Sequence, residues 1–304
     1  MGTDVTIGVV VRNCVNDIGK IVNRICSLYS STLDMEVIFV NDGSQDLTLS
    51  EILKHAPHLK MKYSVHSHTW KGLGFSRNVV LKNARGDYVV WVDDGTILSK
   101  AYVEEHVRFM RQYSRVGIAK GSIDFYTGSN RYAILENLAS LAFYHQQVGK
   151  FTKKLPGTAG SVFRVKAARQ VGGFDESLKG ATEDMDIAYR ILKSGWKIYI
   201  TKIPYLLVYN EQFTKIWKKN FWYGYGARST LHKHKQLSEI LYKSTPPAGF
   251  VEGLKTLRVV YRLTPKKIAF LLPIYFSIIR MAFCLGFIKS YFDAYRHKAA
   301  VQAN

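Results

Sequence analysis

Cysteine is scarce in this chain of 304 residues. Only Cys14, Cys26 and Cys284 are present, and they lie far apart in the sequence. Three scattered thiols cannot build the disulfide framework of a small secreted domain, and they lack the paired spacing of a zinc site. We therefore expect a protein of a reducing compartment.

Acidic side chains are also in short supply. The chain has 23 Asp and Glu residues against 43 Lys and Arg residues, which gives a net charge of +20. Residues 200–304 alone hold 17 basic and 4 acidic side chains. An excess of this kind predicts an anionic partner, and the composition leaves a nucleic acid, an acidic lipid surface and a phosphorylated substrate open.

Tandem repeats, heptads and low-complexity tracts are missing from the sequence. Their absence argues against a solenoid or a coiled coil, and a hydrophobic share of 47% argues against disorder. The first apolar run has no basic segment before it and no small-residue cleavage site after it, so we expect a strand there instead of a signal peptide. The length predicts one large domain with appendages.

Short apolar runs alternate with helical patterns in the first third of the chain. The predicted strands cover residues 5–11, 37–40, 61–65 and 88–92. The predicted helices between them cover residues 18–28, 49–53 and 75–84. This alternation predicts an α/β fold with a Rossmann-like, doubly wound and mainly parallel sheet. Ligands of such sheets bind at the carboxyl ends of the strands.

The pattern continues less regularly towards residue 200. Further strands are predicted at residues 116–120 and 197–200, and further helices at 135–144, 165–172 and 183–193. After residue 215 aromatic and basic residues interleave, which is typical of a core helix with solvated lysines or of a membrane rim.

A polar turn follows the second predicted strand and reads Asn41-Asp42-Gly43-Ser44-Gln45-Asp46. A carboxylate at the carboxyl end of a strand can accept hydrogen bonds from a nucleotide base or ribose, and Gly43 permits a tight turn. An ordinary Asx turn is the alternative interpretation of the same residues.

Two further acidic clusters carry candidate chemistry. Asp93-Asp94-Gly95 follows the fourth strand, and adjacent carboxylates favour a hard divalent cation that bridges to phosphates. Glu183-Asp184-Met185-Asp186 opens a predicted helix, whose dipole keeps a carboxylate ionised, as a general base requires. A solvated acidic turn and plain helix capping are the respective alternatives.

In their order along the chain, these motifs resemble those of family 2 glycosyltransferases with the GT-A fold. The pattern also includes Gly72-x-Gly74-x-x-Arg77-Asn78, Gly86-Asp87-Tyr88 and Gly172-Gly173-Phe174-Asp175-Glu176. The resemblance covers about residues 4–200. It implies that Asp42 holds the base of a nucleotide-sugar. It also implies that Asp93 and Asp94 hold Mg²⁺ or Mn²⁺ against the diphosphate.

The same resemblance implies the catalytic residues, with Asp184 as the general base and Glu183 beside it. Chemistry adds that a diphosphate leaving group needs a metal or basic side chains. We therefore expect Lys71 and Arg77 near the phosphates, although Arg77 also fits a surface ion pair. The predicted donor-binding residues are Asn13, Asp42, Ser44, Asp46, Lys71, Arg77 and Asp93.

One position departs from the family pattern. The acidic motif of the family usually reads Asp-x-Asp, and Gly95 stands where the second Asp is expected. We predict that the neighbouring Asp94 takes its place as a metal ligand. The alternative is a metal that is held weakly or is dispensable.

Residues 268–288 form the longest apolar stretch and contain a single charge. Less apolar residues recur within it at steps of three and four, namely Pro273, Ser277, Arg280 and Cys284. This stripe fits an amphipathic helix over about residues 266–292 that lies in a membrane interface. A helix packed on the catalytic domain or on a dimer partner remains open, and so does a membrane-spanning helix.

The sequence as a whole predicts an inverting glycosyltransferase with two regions. A GT-A catalytic domain is expected over residues 1–210, with a nucleotide-sugar half at about 1–100 and an acceptor half at about 101–210. A basic, aromatic helical region that associates with membranes is expected over residues 211–304.

The expected donor is a UDP- or GDP-sugar, and the expected acceptor is a glycan or a polyprenyl-linked molecule. We expect a cytoplasmic protein, attached peripherally to the inner face of the membrane, in which the C-terminal helices could also form a homodimer. Nucleic acid is not expected as a partner, because no nucleic-acid motif is present. The alternative function is a non-catalytic nucleotide-sugar or RNA-binding protein with a degenerate metal motif.

Overall fold

The computed structural model describes residues 3–124, 128, 130–178, 181–208, 212–237 and 239–302. The strands are β1 (Val5–Val11), β2 (Met35–Asp42), β3 (Lys62–His68), β4 (Tyr88–Trp91), β5 (Thr96–Ile97), β6 (Val116–Asp124), β7 (Lys150–Thr152), β8 (Ser161–Arg164) and β9 (Lys197–Leu207). The helices are α1 (Ile18–Cys26), α2 (Thr48–His55), α3 (Leu73–Asn83), α4 (Lys100–Gln112), α5 (Arg131–His145), α6 (Val165–Gln170), α7 (Glu183–Lys193), α8 (Phe213–Lys233), α9 (Glu239–Lys243), α10 (Pro246–Leu263) and α11 (Leu272–Gln302).

The strands form one sheet in the order β3-β2-β1-β4-β8-β6-β9-β5, with β7 paired to β9. The first four strands in this order run parallel. Strand β8 runs antiparallel to both β4 and β6, and β9 pairs parallel with β6. The α/β architecture predicted from the sequence is confirmed. The four parallel strands β1 to β4 correspond to the four strands that were predicted between residues 5 and 92. The sheet as a whole is mixed and mainly parallel, because β6 and β9 run in the direction of the first four strands, whereas β5, β7 and β8 run in the opposite direction.

Strand β1 lies between β2 and β4, so the carboxyl ends of all three strands meet at one edge of the sheet. Val11 of β1 is in register with Asn41 of β2, and Gly8 is in register with Trp91 of β4. The burial of these strands explains their continuous apolar runs, since Ile7, Phe39 and their neighbours are completely buried. The turns that follow the strands are therefore brought together at one place.

The described residues divide into two compact units. The first contains residues 3–124, 144–178 and 183–208, and the second contains residues 130–143, 181–182 and 212–302. The domain boundary predicted at residues 210 and 211 lies outside the described residues. The second unit has its own apolar core, which includes Leu138 of α5, Ile216 of α8, Val260 of α10 and Leu272 of α11.

Helices α8 and α11 of the second unit pack closely through glycines. A Cβ atom at Gly224 would lie 1.8 Å from the carbonyl oxygen of Phe283, and one at Gly286 would lie 1.9 Å from that of Phe221. Only glycine fits where two helix backbones approach this closely. The aromatic-basic segment is thus a packed helix, as one of its two interpretations predicted.

The less apolar stripe of α11 faces protein. Ser277 donates a hydrogen bond to the carbonyl oxygen of Pro246 at 3.2 Å, and a Cβ atom at Gly249 of α10 would lie 2.8 Å from Cγ of Arg280. An amphipathic helix in a membrane interface would turn such a stripe towards water. The stripe instead packs against α10, because small residues of that helix leave room for it.

The outer face of α11 is apolar instead. Large exposed side chains recur on it at helical spacing: Ile274, Met281, Leu285, Ile288, Phe292 and Tyr295. Among the described helices, the segment Lys267–Tyr295 is long and apolar enough to cross a membrane, and 39% of its most apolar window is buried inside the protein. One side of this helix is therefore covered by the second unit and the other side is uncovered.

Candidate active site

Asn13 and Ser44 join the turn after β1 to the turn after β2. The backbone N–H of Asn13 donates to Oγ of Ser44 at 3.0 Å, and Oδ1 of Asn13 accepts from the N–H of Gln45 at 2.8 Å. Asn13 adopts a positive φ of 48°, which asparagine tolerates better than most residues. Both side chains are occupied in fixing the turns, so their predicted contact with a donor stays a prediction.

Asp46 completes this connection. Its Oδ2 accepts from the N–H of Val15 at 3.3 Å, and its Oδ1 accepts from the N–H of Thr48 at 3.0 Å and from the Thr48 hydroxyl. The Thr48 hydroxyl is the largest of the contributions that lower the pKa of Asp46. An ionised Asp46 thus holds the start of α2 and the turn after β1 together.

Asp42 is buried at the end of β2 and ties down the segment before α3. Its Oδ1 accepts from the N–H groups of Lys71 at 3.0 Å and Gly72 at 3.3 Å. The following residue, Gly43, has φ +65°, and a Cβ atom there would lie 2.2 Å from the backbone nitrogen of Trp70. One carboxylate oxygen of Asp42 is therefore already engaged, and the role of a base acceptor would fall to the other.

The side chain of Lys71 takes no part in the hydrogen bond that the backbone of Lys71 donates to Asp42. Its ammonium lies 4.3 Å from the centre of the Phe75 ring, while Arg12 lies over the exposed ring of Trp70 at 5.2 Å. The edge around Asp42 thus combines an exposed aromatic face with two cationic side chains, a surface that suits a nucleotide.

Arg77 and Glu183 form a buried ion pair. Arg77 of α3 is 5% exposed and donates from its guanidinium to Oε1 of Glu183, which opens α7 and is 3% exposed. The guanidinium also lies near the rings of Phe174 at 5.6 Å and Trp91 at 6.0 Å. Oε2 of Glu183 is buried without a hydrogen-bond partner among the described residues. The pair joins two segments that are 106 residues apart in the sequence.

The charges of this pair extend to the neighbouring carboxylates. Burial raises the pKa of Glu183, Arg77 opposes this effect and the charge of Asp184 adds to it. Burial alone would lower the pKa of Arg77, but Glu183, Asp93 and Asp184 outweigh it and raise the pKa. Arg77 thus remains cationic at the centre of an acidic cluster.

Asp93 belongs to the same cluster. Its pKa is raised, chiefly by burial, with further contributions from the charges of Asp94 and Asp184. Arg77 and Lys120 act in the opposite direction. Carboxylates from the end of β4 and the start of α7 therefore act on one another electrostatically, and the charges of Arg77 and Lys120 act on the same cluster.

Asp94 is exposed beside Gly95. Its Oδ1 accepts from the N–H of Gly95 at 2.8 Å, and its carbonyl oxygen accepts from Arg24 at 2.6 Å. The carbonyl oxygen of Gly95 accepts from the N–H of Val208 at 2.8 Å, and a Cβ atom at Gly95 would lie 2.8 Å from the Val208 carbonyl oxygen. This close backbone pairing explains why glycine replaces the second Asp of the usual motif.

The carboxylates fit a divalent cation that is completed by phosphate oxygens. No group of three or more His, Cys, Asp or Glu side chains among the described residues could hold a metal alone. Mg²⁺ is commonly bound by one or two carboxylates together with substrate phosphates, and this is the donor chemistry that Asp93 and Asp94 offer. When all are ionised, Asp93, Asp94, Glu183 and Asp184 outweigh the two cations of the cluster by two charges, which one such ion offsets.

Asp184 lies at the start of α7 against a short loop. Its Oδ1 accepts from the N–H of Met185 at 2.8 Å. A Cβ atom at Gly157 would lie 3.2 Å from its Oδ2, so the loop approaches this carboxylate oxygen closely. Asp186, the third acidic residue of the motif, is buried and binds Arg190, which donates to the carbonyl oxygen of Gly173 at 2.7 Å. Asp186 thus has a structural role.

Lys120 is the residue that the sequence analysis missed. It lies in β6, is 2% exposed and donates from Nζ to the carbonyl oxygen of Gly157 at 3.1 Å. A signal was present, because Lys120 ends the apolar run Val116–Ala119 of a predicted buried strand, where a charged residue is costly.

Known proteins resemble this chain in sequence. Residues 6–172 match the model of glycosyl transferase family 2. A pre-mycofactocin glycosyltransferase of Mycobacterium tuberculosis (strain CDC 1551 / Oshkosh) is 27% identical over 232 residues, which cover 74% of this chain and 47% of that protein. The chain thus spans about half the length of this relative.

Solved structures resemble the whole chain. A mannosyltransferase from Pyrobaculum calidifontis, solved with GDP-Man and Mn²⁺, has a TM-score of 0.64 at 15% identity, covering 95% of this chain and 87% of its own. TarS of S. aureus, solved with UDP-GlcNAc, has a TM-score of 0.54 at 16% identity, covering 96% of this chain and 92% of its own. These likenesses show the GT-A fold. Because the family match extends over more than half of its residues, the chain belongs to glycosyl transferase family 2.

Proposed function

We propose that this chain is an inverting glycosyltransferase that moves a sugar from a UDP- or GDP-sugar to a hydroxyl group of a glycan or polyprenyl-linked acceptor. The observation that carries the proposal is the convergence of Asp93 and Asp184 on Arg77, in which each charge acts on the pKa of its neighbours. A structural acidic turn and a capped helix would not need to meet around a buried guanidinium.

Asp184 is the general base of this proposal. It takes the proton of the acceptor hydroxyl while the oxygen of that hydroxyl forms a bond to the anomeric carbon of the sugar. The bond from that carbon to the diphosphate breaks, and its electron pair leaves with the nucleoside diphosphate. A single displacement of this kind inverts the anomeric carbon. The raised pKa of Arg77 keeps its positive charge beside Asp184 throughout.

Glu183 acts in this proposal as a positioning residue, because its carboxylate binds Arg77. The donor would lie along the edge formed by Asp42, Lys71 and the turns fixed by Asn13, Ser44 and Asp46. Two structural neighbours were solved with GDP-Man and UDP-GlcNAc, which supports a nucleotide-sugar without selecting the base.

Asp93 and Asp94 are the proposed holders of Mg²⁺ or Mn²⁺. The ion would supply positive charge to the diphosphate leaving group. The net negative charge of the acidic cluster supports this assignment, and so does Mn²⁺ in the mannosyltransferase structure. Lys71 offers a cationic side chain near the same edge for the phosphates.

The acceptor is proposed to lie at an anionic membrane surface on the cytoplasmic side. The uncovered apolar face of α11 and the excess of basic residues after residue 200 support peripheral attachment. Apolar side chains enter the interface, and each basic residue near an anionic leaflet contributes about 1 kcal/mol. The alternative to a membrane at this face of α11 is a second copy of the chain that covers it.

A nucleotide and donor panel tests the function. UDP, GDP, ADP and CMP would be compared by thermal shift with Mn²⁺, because a ligand that binds only the folded state raises the melting temperature. UDP-GlcNAc and GDP-mannose would then be incubated with the protein, and the released nucleoside diphosphate measured. Binding together with release supports an enzyme. Binding without release from any donor, or a shift produced only by added RNA, would favour the non-catalytic alternative.

A further inference from the structure

Lys120 is a buried cation that the proposed chemistry does not yet use. It lies in β6, whose neighbours in the sheet are β8 and β9. With 2% of its surface exposed, its ammonium is almost completely removed from water. A buried charge destabilises the fold unless it is compensated, so an apolar side chain would serve packing alone better.

The ammonium group of Lys120 makes few contacts. Nζ donates to the carbonyl oxygen of Gly157 at 3.1 Å and lies 4.8 Å from the ring centre of Tyr144 and 5.9 Å from that of Tyr205. An ammonium has three donor hydrogens, yet Lys120 makes no second hydrogen bond and no ion pair within 4 Å among the described residues. In the described part of the chain, its one hydrogen bond is therefore with a loop backbone, while its charge also acts on Asp93.

That loop, residues 156–160, is held at several points. The carbonyl oxygen of Gly157 also accepts from Oγ of Ser161 at 2.6 Å, and the N–H of Gly160 donates to the carbonyl oxygen of Trp91 at 3.0 Å. The hydroxyl of Tyr205 donates to the carbonyl oxygen of Ala159 at 3.3 Å. The loop thus has a defined position between β4, β6 and β9.

The position of the loop bears on the proposed base. Gly157, which accepts the hydrogen bond of Lys120, is the residue whose Cβ atom would lie 3.2 Å from Oδ2 of Asp184. The loop therefore lies beside the carboxylate oxygen that is proposed to take the proton of the nucleophile. Displacement of the loop by about 1 Å is enough to change which nucleophile is aligned with the base.

We propose that Lys120 is a positioning residue that ties the 156–160 loop beside Asp184 and so favours transfer to the acceptor hydroxyl over transfer to water. This inference rests on the proposed glycosyl transfer. The class of competing reaction is hydrolysis of the nucleotide-sugar, in which water takes the place of the acceptor and free sugar is released with the nucleoside diphosphate.

The test compares Lys120→Met, which keeps length and removes the charge, with Lys120→Arg, which keeps a donor for Gly157. Lys166→Met, at an exposed lysine of α6, is the matched control. Hydrogen exchange is measured on peptides that cover residues 155–161. The ratio of free to transferred sugar is measured with UDP-GlcNAc and GDP-mannose as donors and a membrane-lipid extract as acceptor. This ratio does not depend on the fraction of protein that is folded.

For Lys120→Met we expect about tenfold faster exchange in the loop and about a tenfold higher ratio of free to transferred sugar. We expect UDP or GDP affinity to stay within about twofold of the unsubstituted protein. Lys120→Arg should restore the ratio, and the control should leave both quantities unchanged.

Unchanged exchange in the loop would overturn the inference, and so would an unchanged ratio in a variant with faster exchange. Lost nucleotide affinity at an unchanged ratio would overturn it in favour of a contact with the diphosphate. If the unsubstituted protein cleaves no donor, the proposed function fails and this role fails with it, whereas the exchange result still decides whether Lys120 holds the loop.

Discussion

Replacement of Arg77 by Met should destabilise the first unit strongly. The substitution removes the guanidinium and leaves Glu183 as a carboxylate that is 3% exposed and whose Oε1 has lost its bond to Arg77. Breaking a buried ion pair by removing one partner costs about 3–5 kcal/mol. With a shift of about 2–4 °C per kcal/mol for a domain of this size, the melting temperature should fall by roughly 10 °C.

The loss of stability in Arg77→Met should be larger at high pH than at low pH. Burial already raises the pKa of Glu183, and without Arg77 that pKa rises further in the folded state. A group with a raised folded-state pKa contributes stability that is fully present below its unfolded pKa and is lost as pH rises through its folded pKa. The deficit of Arg77→Met should therefore be smaller at about pH 5 than at about pH 8.

Urea unfolding at both pH values measures this difference. Arg111→Met is the matched control, because Arg111 pairs with Asp4 at the surface, where the two side chains are 53% and 25% exposed. Such a pair contributes about 0–1 kcal/mol. The double variant Arg77→Met/Glu183→Leu should recover much of the stability, since it removes both buried charges. Equal effects of Arg77→Met and Arg111→Met, or a larger deficit at low pH, would refute the reasoning.

Three further substitutions test the donor edge, the metal and the membrane face. Asp42→Ala should weaken UDP or GDP binding about 10- to 100-fold in titrations, since a hydrogen bond to a charged group contributes about 1.5–3 kcal/mol; unchanged affinity in a folded variant would remove Asp42 from the site. Asp93→Asn should abolish the gain in nucleotide affinity that Mn²⁺ gives, and donor cleavage in the presence of EDTA would show that no metal is needed. Leu285→Glu should reduce the fraction of protein that floats with phosphatidylglycerol vesicles, and the control Lys166→Met should not. A change in oligomeric state with unchanged flotation would assign the apolar face of α11 to contact with a second copy of the chain.

The parallel half of the sheet could be predicted because its signals are local. Buried strands such as β1 and β2 are continuous apolar runs, and the helix between them shows its own periodicity. β8 was missed because it has only four residues and pairs antiparallel with β4 and β6, which are distant in sequence. Pairing of this kind depends on tertiary context that no short window contains.

The candidate site, like the sheet, could be predicted only in part. Asp42, Asp93 and Asp184 could be found from motifs, because each lies next to a recognisable strand end or helix start. The pairing of Arg77 with Glu183 could not, since it joins residues 106 positions apart and depends on how α3 packs beside α7. The orientation of α11 could not be predicted for a related reason, because a stripe in a sequence does not say which face of the helix a neighbouring helix covers.

Release of nucleoside diphosphate by the unsubstituted protein and by Asp184→Asn tests the central claim most directly. The amide keeps the shape of the side chain but cannot take the proton of an acceptor hydroxyl. With the donor selected by the binding panel, we predict that Asp184→Asn binds the nucleotide as tightly as the unsubstituted protein and loses transfer at least about 100-fold. Full transfer to a hydroxyl acceptor by Asp184→Asn would contradict the account.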